Sequence, residues 1–84
     1  MTDLRILYVE QDDVIGIGVD VRAWSGKDDE GHAFHDYILA WHKGREAHKT
    51  CLPHEIYTDA QAIRAGIAKY DELAGEVATE VLSG

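Results

Sequence analysis

The chain has 84 residues, with 16 acidic and 8 basic side chains and a formal net charge of −8. That length supports one domain, spanning 1–84, and is too short for two; a hydrophobic content of 45% excludes a disordered chain. The charge argues against direct binding of DNA or of anionic membranes and favours basic surfaces as partners.

Residues 4–10 read as a first strand, with Leu4, Ile6 and Tyr8 pointing one way and Arg5, Leu7 and Val9 the other. Gln11-Asp12-Asp13 is a polar turn. Residues 14–24 alternate most clearly: Ile15, Ile17, Val19, Val21 and Ala23 share one face, and Val14, Gly16, Gly18, Asp20, Arg22 and Trp24 the other. A charged, glycine-bounded loop follows at 25–31. Residues 32–42 form a third strand with Ala33, His35, Tyr37, Leu39 and Trp41 on one face. After the turn Lys43-Gly44-Arg45 comes a weaker strand, 46–52, closed by Pro53, which has no N–H for a ladder. Residues 58–82 read as a helix. Thr58 and Gln61 have the spacing of a capping box, and Ile63, Ile67, Tyr70, Ala74, Val77 and Val81 form one stripe for packing on the sheet. Gly66 and Gly75 each cost about 1 kcal/mol against alanine in a helix, and Gly75 is a candidate kink or early end.

The plan is therefore β-β-β-(β)-α. Short turns make an antiparallel meander of three or four strands, and one helix packs on one face, in the α+β class. A two-residue turn at Asp12-Asp13 sets Tyr8 across from Ile17 and Ile6 across from Val19. A two-residue turn at Gly44-Arg45 sets Trp41 across from His48 and Leu39 across from Thr50. The core is then the side of Ile15, Ile17, Val19, Tyr37 and Leu39.

One helix cannot cover both sides of a sheet. The other face is expected to carry Leu7, Val9, Val14, Trp24, Phe34 and Ile38 with Asp20, Arg22, Asp36 and His42, which is too apolar for an ordinary solvated face. If the 25–31 loop closes symmetrically, Trp24 faces His32 and Asp20 faces Asp36. Opposed like charges are destabilising and would be kept for a basic partner. The competing reading has the two acids staggered, with Arg22 neutralising one of them, and the apolar face forming a homodimer. The loop acids Asp28, Asp29 and Glu30 are a docking element for arginines or lysines on one reading and a solvated tip on the other.

Neither a cofactor nor a metal is expected. Gly16-x-Gly18 lacks the third glycine and the following helix of a phosphate loop. His32 and His35 point to opposite faces of a strand, and His42, His48 and His54 lack the four convergent ligands of a closed zinc site. Cys51, the only cysteine, forms no internal disulfide, which fits a reducing cytoplasm, and a strand separates it from His48. No catalytic pair suggests an enzyme. The opening Met1-Thr2-Asp3 lacks the pattern of a signal peptide, and no apolar stretch reaches the ~18 residues of a membrane span. Lys43, Arg45 and Lys49 make a small basic turn, a contact for acidic partners or a charged edge that blocks aggregation.

Strong acidity, a single short α+β domain, one cysteine and no catalytic motif together resemble the small phage-encoded anti-CRISPR proteins, inhibitors of type I systems such as type I-E. The acids Asp20, Asp28, Asp29, Glu30 and Asp36 beside Trp24 and Phe34 carry that resemblance. It covers the whole chain as a profile and offers no shared motif through which to transfer a family residue. It implies a non-catalytic inhibitor that binds a basic surface of a Cas protein complex, with these acids as guides and the two aromatics as anchors. Two other classes fit the same residues: an antitoxin-like or adaptor protein that pairs with a basic partner such as a toxin ribonuclease, and a structural subunit that assembles through its uncovered sheet face.

Overall fold

The structure, a computed structural model, describes residues 3–83; Met1 and Thr2, read above for a leader, lie outside the described residues. Four strands, β1 (Asp3–Asp12), β2 (Ile17–Lys27), β3 (Ala33–Lys43) and β4 (Glu46–Pro53), form an antiparallel meander in the order β1-β2-β3-β4. One helix, α1 (Asp59–Ser83), follows and lies over β1, β2 and β3. The β3–β4 register is as expected, with Trp41 opposite His48 and Leu39 opposite Thr50 across a two-residue Gly44-Arg45 turn. The capping box also forms: the Thr58 N–H donates to Gln61 Oε1 at 2.9 Å, and the Gln61 N–H to Thr58 Oγ1 at 3.2 Å.

The first hairpin departs from the sequence reading. Its turn spans 13–16 rather than two residues, with Asp12 opposite Ile17. The Asp12 carboxylate accepts the N–H groups of Val14 and Ile15, and Gly16 takes the positive φ, 72°, that closes the turn. Ile15 and Val14 therefore leave the strand and stay exposed. The Gly44 N–H donates to the Gly16 carbonyl at 2.7 Å, which docks the two hairpin turns together.

A bulge between Ile6 and Tyr8 then shifts β1: Tyr8 pairs with Val21 and Ile6 with Arg22, not with Ile17 and Val19. Leu7, the extra residue, turns to the helix side and packs against the core. Leu4 and Ile6 go to the open side, 51% and 63% exposed. Their expected positions are thus reversed.

The core holds Ile17, Val19, Val21 and Ala23 from β2, Tyr37 and Leu39 from β3, Leu52 from β4, and Ala62 and Leu73 from the helix. The fully buried helix line is Ala62, Gly66 and Leu73, rotated from the expected stripe; of that stripe Tyr70, Ala74 and Val77 pack partly buried against the core, while Ile67 is 43% exposed and Val81 lies in the open. Gly66 explains the rotation. A Cβ there would come within 2.5 Å of Val21 Cγ2 and 2.9 Å of the Tyr8 ring, so the helix backbone sits on the sheet where a larger residue would hold it off. Gly75 faces open space and α1 runs through it without a break.

These two glycines should respond with opposite signs. Gly66→Ala is expected to destabilise by about 1–3 kcal/mol through overpacking, and Gly75→Ala to stabilise by about 0.5–1 kcal/mol through helix propensity. Urea unfolding of both variants checks this; equal shifts would show that the helix does not touch the sheet at Gly66.

Candidate functional site

The Arg5–Ala23–Tyr37–Leu52 row marks where the helix begins. There the Tyr37 hydroxyl donates to Asp59 Oδ1 at 2.5 Å, and the Arg5 guanidinium lies 3.9 Å from the same carboxylate. Beyond this row the β2–β3 hairpin continues without helix cover as a finger, pairing Gly26 with Phe34 and Lys27 with Ala33. At the opposite end Lys43 pairs with Glu76 and Glu80 on the helix, past which Val81 and Leu82 project. This offset draws the molecule out to 54 × 22 × 15 Å, with a radius of gyration of 15.0 Å against about 12 Å for a compact chain of this length.

The face away from the helix is apolar in its larger residues. Leu4 and Ile6 of β1 lie opposite Trp24 and Arg22 of β2, which face Asp36 and Ile38 of β3. Val9 is 57% and Trp24 39% exposed. Trp24 and Phe34 form an edge-to-face pair with ring centres 5.0 Å apart at the root of the finger. A shallow depression of about 500 Å³ over Arg22 is lined by Leu4, Asp20, Trp24, Ile38, Ala40 and Lys49. A second hollow is floored by Gly18, Ala40 and Ala47 beside His42. The His42 ring lies so close over Gly18 that a Cβ there would be 2.4 Å from its Nε2; the missing Cβ makes room for the imidazole.

The structure sorts the candidate acids into different roles. Asp20 and Asp36 are not opposed: Asp20 faces Ala40 and Trp24 faces Asp36, because β2 runs on to Lys27 and the loop closes later than expected. Asp20 accepts from Arg22 Nε at 3.0 Å, the staggered and neutralised arrangement. Asp36 lies 3.7 Å from His54 Nδ1. Asp28 holds the loop in shape, its Oδ1 accepting the Glu30 N–H at 3.0 Å and the His32 N–H at 2.8 Å. Glu30 lies 3.5 Å from His32 Nδ1. Asp29 is exposed and has no ion-pair partner among the described residues. Trp24, Phe34, Asp36 and the loop acids thus gather at one end of the molecule, with Asp20 nearer the middle of the face. Leu4 and Ile6 belong to this face as well, and period-2 alternation assigned them to the core because a bulge leaves no mark in it.

The accessible surface, 5906 Å², exceeds the roughly 5000 Å² of a compact monomer of this mass. The surplus is on the order of the ~800 Å² that each partner buries in a standard interface. Cys51 lies on the open face and His48 on the helix side, and the Cys51 thiol titrates above its ordinary range through partial desolvation and the nearby charges of Asp36 and Glu55. Among the described residues no group of three or more His, Cys, Asp or Glu could hold a metal ion, and no helix is long and apolar enough to cross a membrane. Comparison with protein-family models, curated proteins and solved structures gives no match.

The hydroxyls at the helix–sheet contact set a pH dependence. Tyr37 is raised by its hydrogen bond to Asp59 and by burial, Tyr8 by burial and Glu10, and Tyr70 by burial and the charges of Asp12 and Glu10. Lys43 is raised by its bond to Glu80. A pKa raised on folding stabilises below the unfolded value and is lost above it. The urea midpoint is therefore expected to be set by other groups up to pH ~9 and to fall progressively above pH ~10 as these groups titrate. A midpoint that rises through that range would contradict these contacts.

Proposed function

We propose that the chain is a non-catalytic inhibitor that docks its open sheet face on a basic surface of a CRISPR–Cas complex, of the type I Cascade-like class, and blocks its action. The observation that carries this reading is the exposed apolar layer of Leu4, Ile6, Val9 and Trp24 at the root of an acidic finger, on a chain of net charge −8. Exposed apolar area of this kind supports a docking role. The charge selects the partner, since complexes that hold nucleic acid line their channels with lysine and arginine. Within the face, Asp20 is offset by Arg22, and Asp36 and Glu30 each lie beside a histidine, so the long-range pull is led by Asp29 at the finger tip, with Glu30 next to it. Trp24 and Phe34 then supply a rigid anchor as water leaves the interface.

Anchor and guides should fail differently when the purified crRNA-loaded type I-E complex is the immobilised partner. Trp24→Ala is expected to weaken binding by about 2 kcal/mol or more, mostly in the off-rate. Asp29→Lys with Glu30→Lys should slow association and flatten its dependence on salt. Glu72→Gln, on the helix, should change neither. Loss of binding in the helix variant with Trp24→Ala unaffected would move the recognition surface to α1, and absence of binding by the unaltered chain would reject this partner.

A further inference from the structure

We propose that two copies of the chain join along β1, strand to inverted strand about a two-fold axis, into one continuous eight-stranded sheet built from two four-stranded ones. The sheet has two outer strands, β1 and β4, and they differ in how their edges are protected. β4 carries Glu46, His48 and Lys49 and ends at Pro53, the features that discourage strand addition. β1 also carries charges, Asp3, Arg5, Glu10 and Asp12, and a bulge, but it is ten residues long, has no proline, and sets the exposed apolar side chains Leu4, Ile6 and Val9 among those charges.

The bulge of β1 makes its sequence complementary to itself. In a regular strand, residues five apart point to opposite faces. Here the extra residue Leu7 reverses the alternation, so Arg5 and Glu10 both lie on the helix side, opposite Ala23 and Val19. By the same shift Ile6 and Val9, three apart, both lie on the open side, opposite Arg22 and Asp20. Centring an inverted copy between Leu7 and Tyr8 sets Arg5 against the partner's Glu10 and Ile6 against the partner's Val9, each pair twice by symmetry and each on matching faces; at the two ends of the pairing it also sets Asp3 against the partner's Asp12, whose carboxylate is turned to the Val14 and Ile15 N–H groups of its own turn. The bulge of one copy meets the bulge of the other. Sliding one copy by a single residue sets open-face side chains against helix-side ones; sliding by two separates Ile6 from Val9. This register brings the charge match and the apolar match together. The two fingers then point in opposite directions, which separates their acidic tips, and the open faces merge side by side.

Pairing along β1 does not depend on which partner the open face binds. Sedimentation equilibrium of the full chain alone tests it, with far-UV circular dichroism confirming that each variant folds. The unaltered chain is expected to dimerise. Glu10→Arg and Arg5→Glu, alone, each put like charges across the two-fold and should raise the dissociation constant at least ~10-fold. The combined Arg5→Glu, Glu10→Arg chain restores opposite charges and should recover to within about 3-fold of the original. A chain that stays monomeric at all concentrations overturns the proposal. So does a dimer indifferent to both charge reversals, or one that the combined variant fails to restore.

Discussion

A single helix about 10 Å across cannot shield four strands spaced ~4.8 Å apart, let alone both of their faces. Everything distinctive in this molecule follows from how that shortage is met. The helix is drawn down onto the middle of the sheet at Gly66, where the absence of a Cβ lets backbone approach Val21 and Tyr8. It secures β1, β2 and β3 and leaves β4 held by pairing with β3, Leu52 excepted. The Tyr37–Asp59 bond fixes where the helix begins, and Lys43 with Glu76 and Glu80 fixes its course at the far end. The uncovered hairpin finger and the uncovered sheet face are the remainder.

The uncovered face is distinct from the acidic character of the chain as a whole. Its ionic side chains, Asp20, Asp36, Arg22 and Lys49, are balanced in sign, and its larger residues are aliphatic or aromatic. The excess of acids sits around it, on the finger tip, the first hairpin turn and the helix. A surface arranged this way separates attraction from adhesion: charge at the margins acts over a Debye length of ~8 Å, and apolar area at the centre acts on contact.

The strand count, the meander, the β3–β4 register and the capping box were legible because each depends on local spacing. Alternation in β2 and β3 survives into the fold, so Ile17, Val19, Val21, Tyr37 and Leu39 land in the core. The misplacements have specific causes. Asp12 accepts two backbone N–H groups and lengthens the first turn, which removes Ile15 from the strand. The bulge at Leu7 exchanges the faces of Leu4 and Ile6 with that of Leu7, and no residue in the segment announces it. On the helix, periodicity marks the largest apolar residues, whereas close packing selects the smallest, Ala62 and Gly66, and leaves Ile67 half in solvent. Among the candidate site residues, Trp24 and Phe34 were readable from parity alone. The division of the acids into a loop brace, Asp28, a neutralised pair member, Asp20, and a free charge, Asp29, required coordinates.

In the function proposed above, the face left bare by the helix is the one a partner covers. Hydroxyl-radical footprinting of the chain, free and mixed with the crRNA-loaded type I-E complex, reads this side chain by side chain. Labelling of Trp24, Phe34, Leu4 and Ile6 is expected to fall on complex formation while Ile67 and Tyr70 on the helix side keep their free-state reactivity. Protection of Ile67 and Tyr70 with Trp24 and Phe34 unchanged would contradict it.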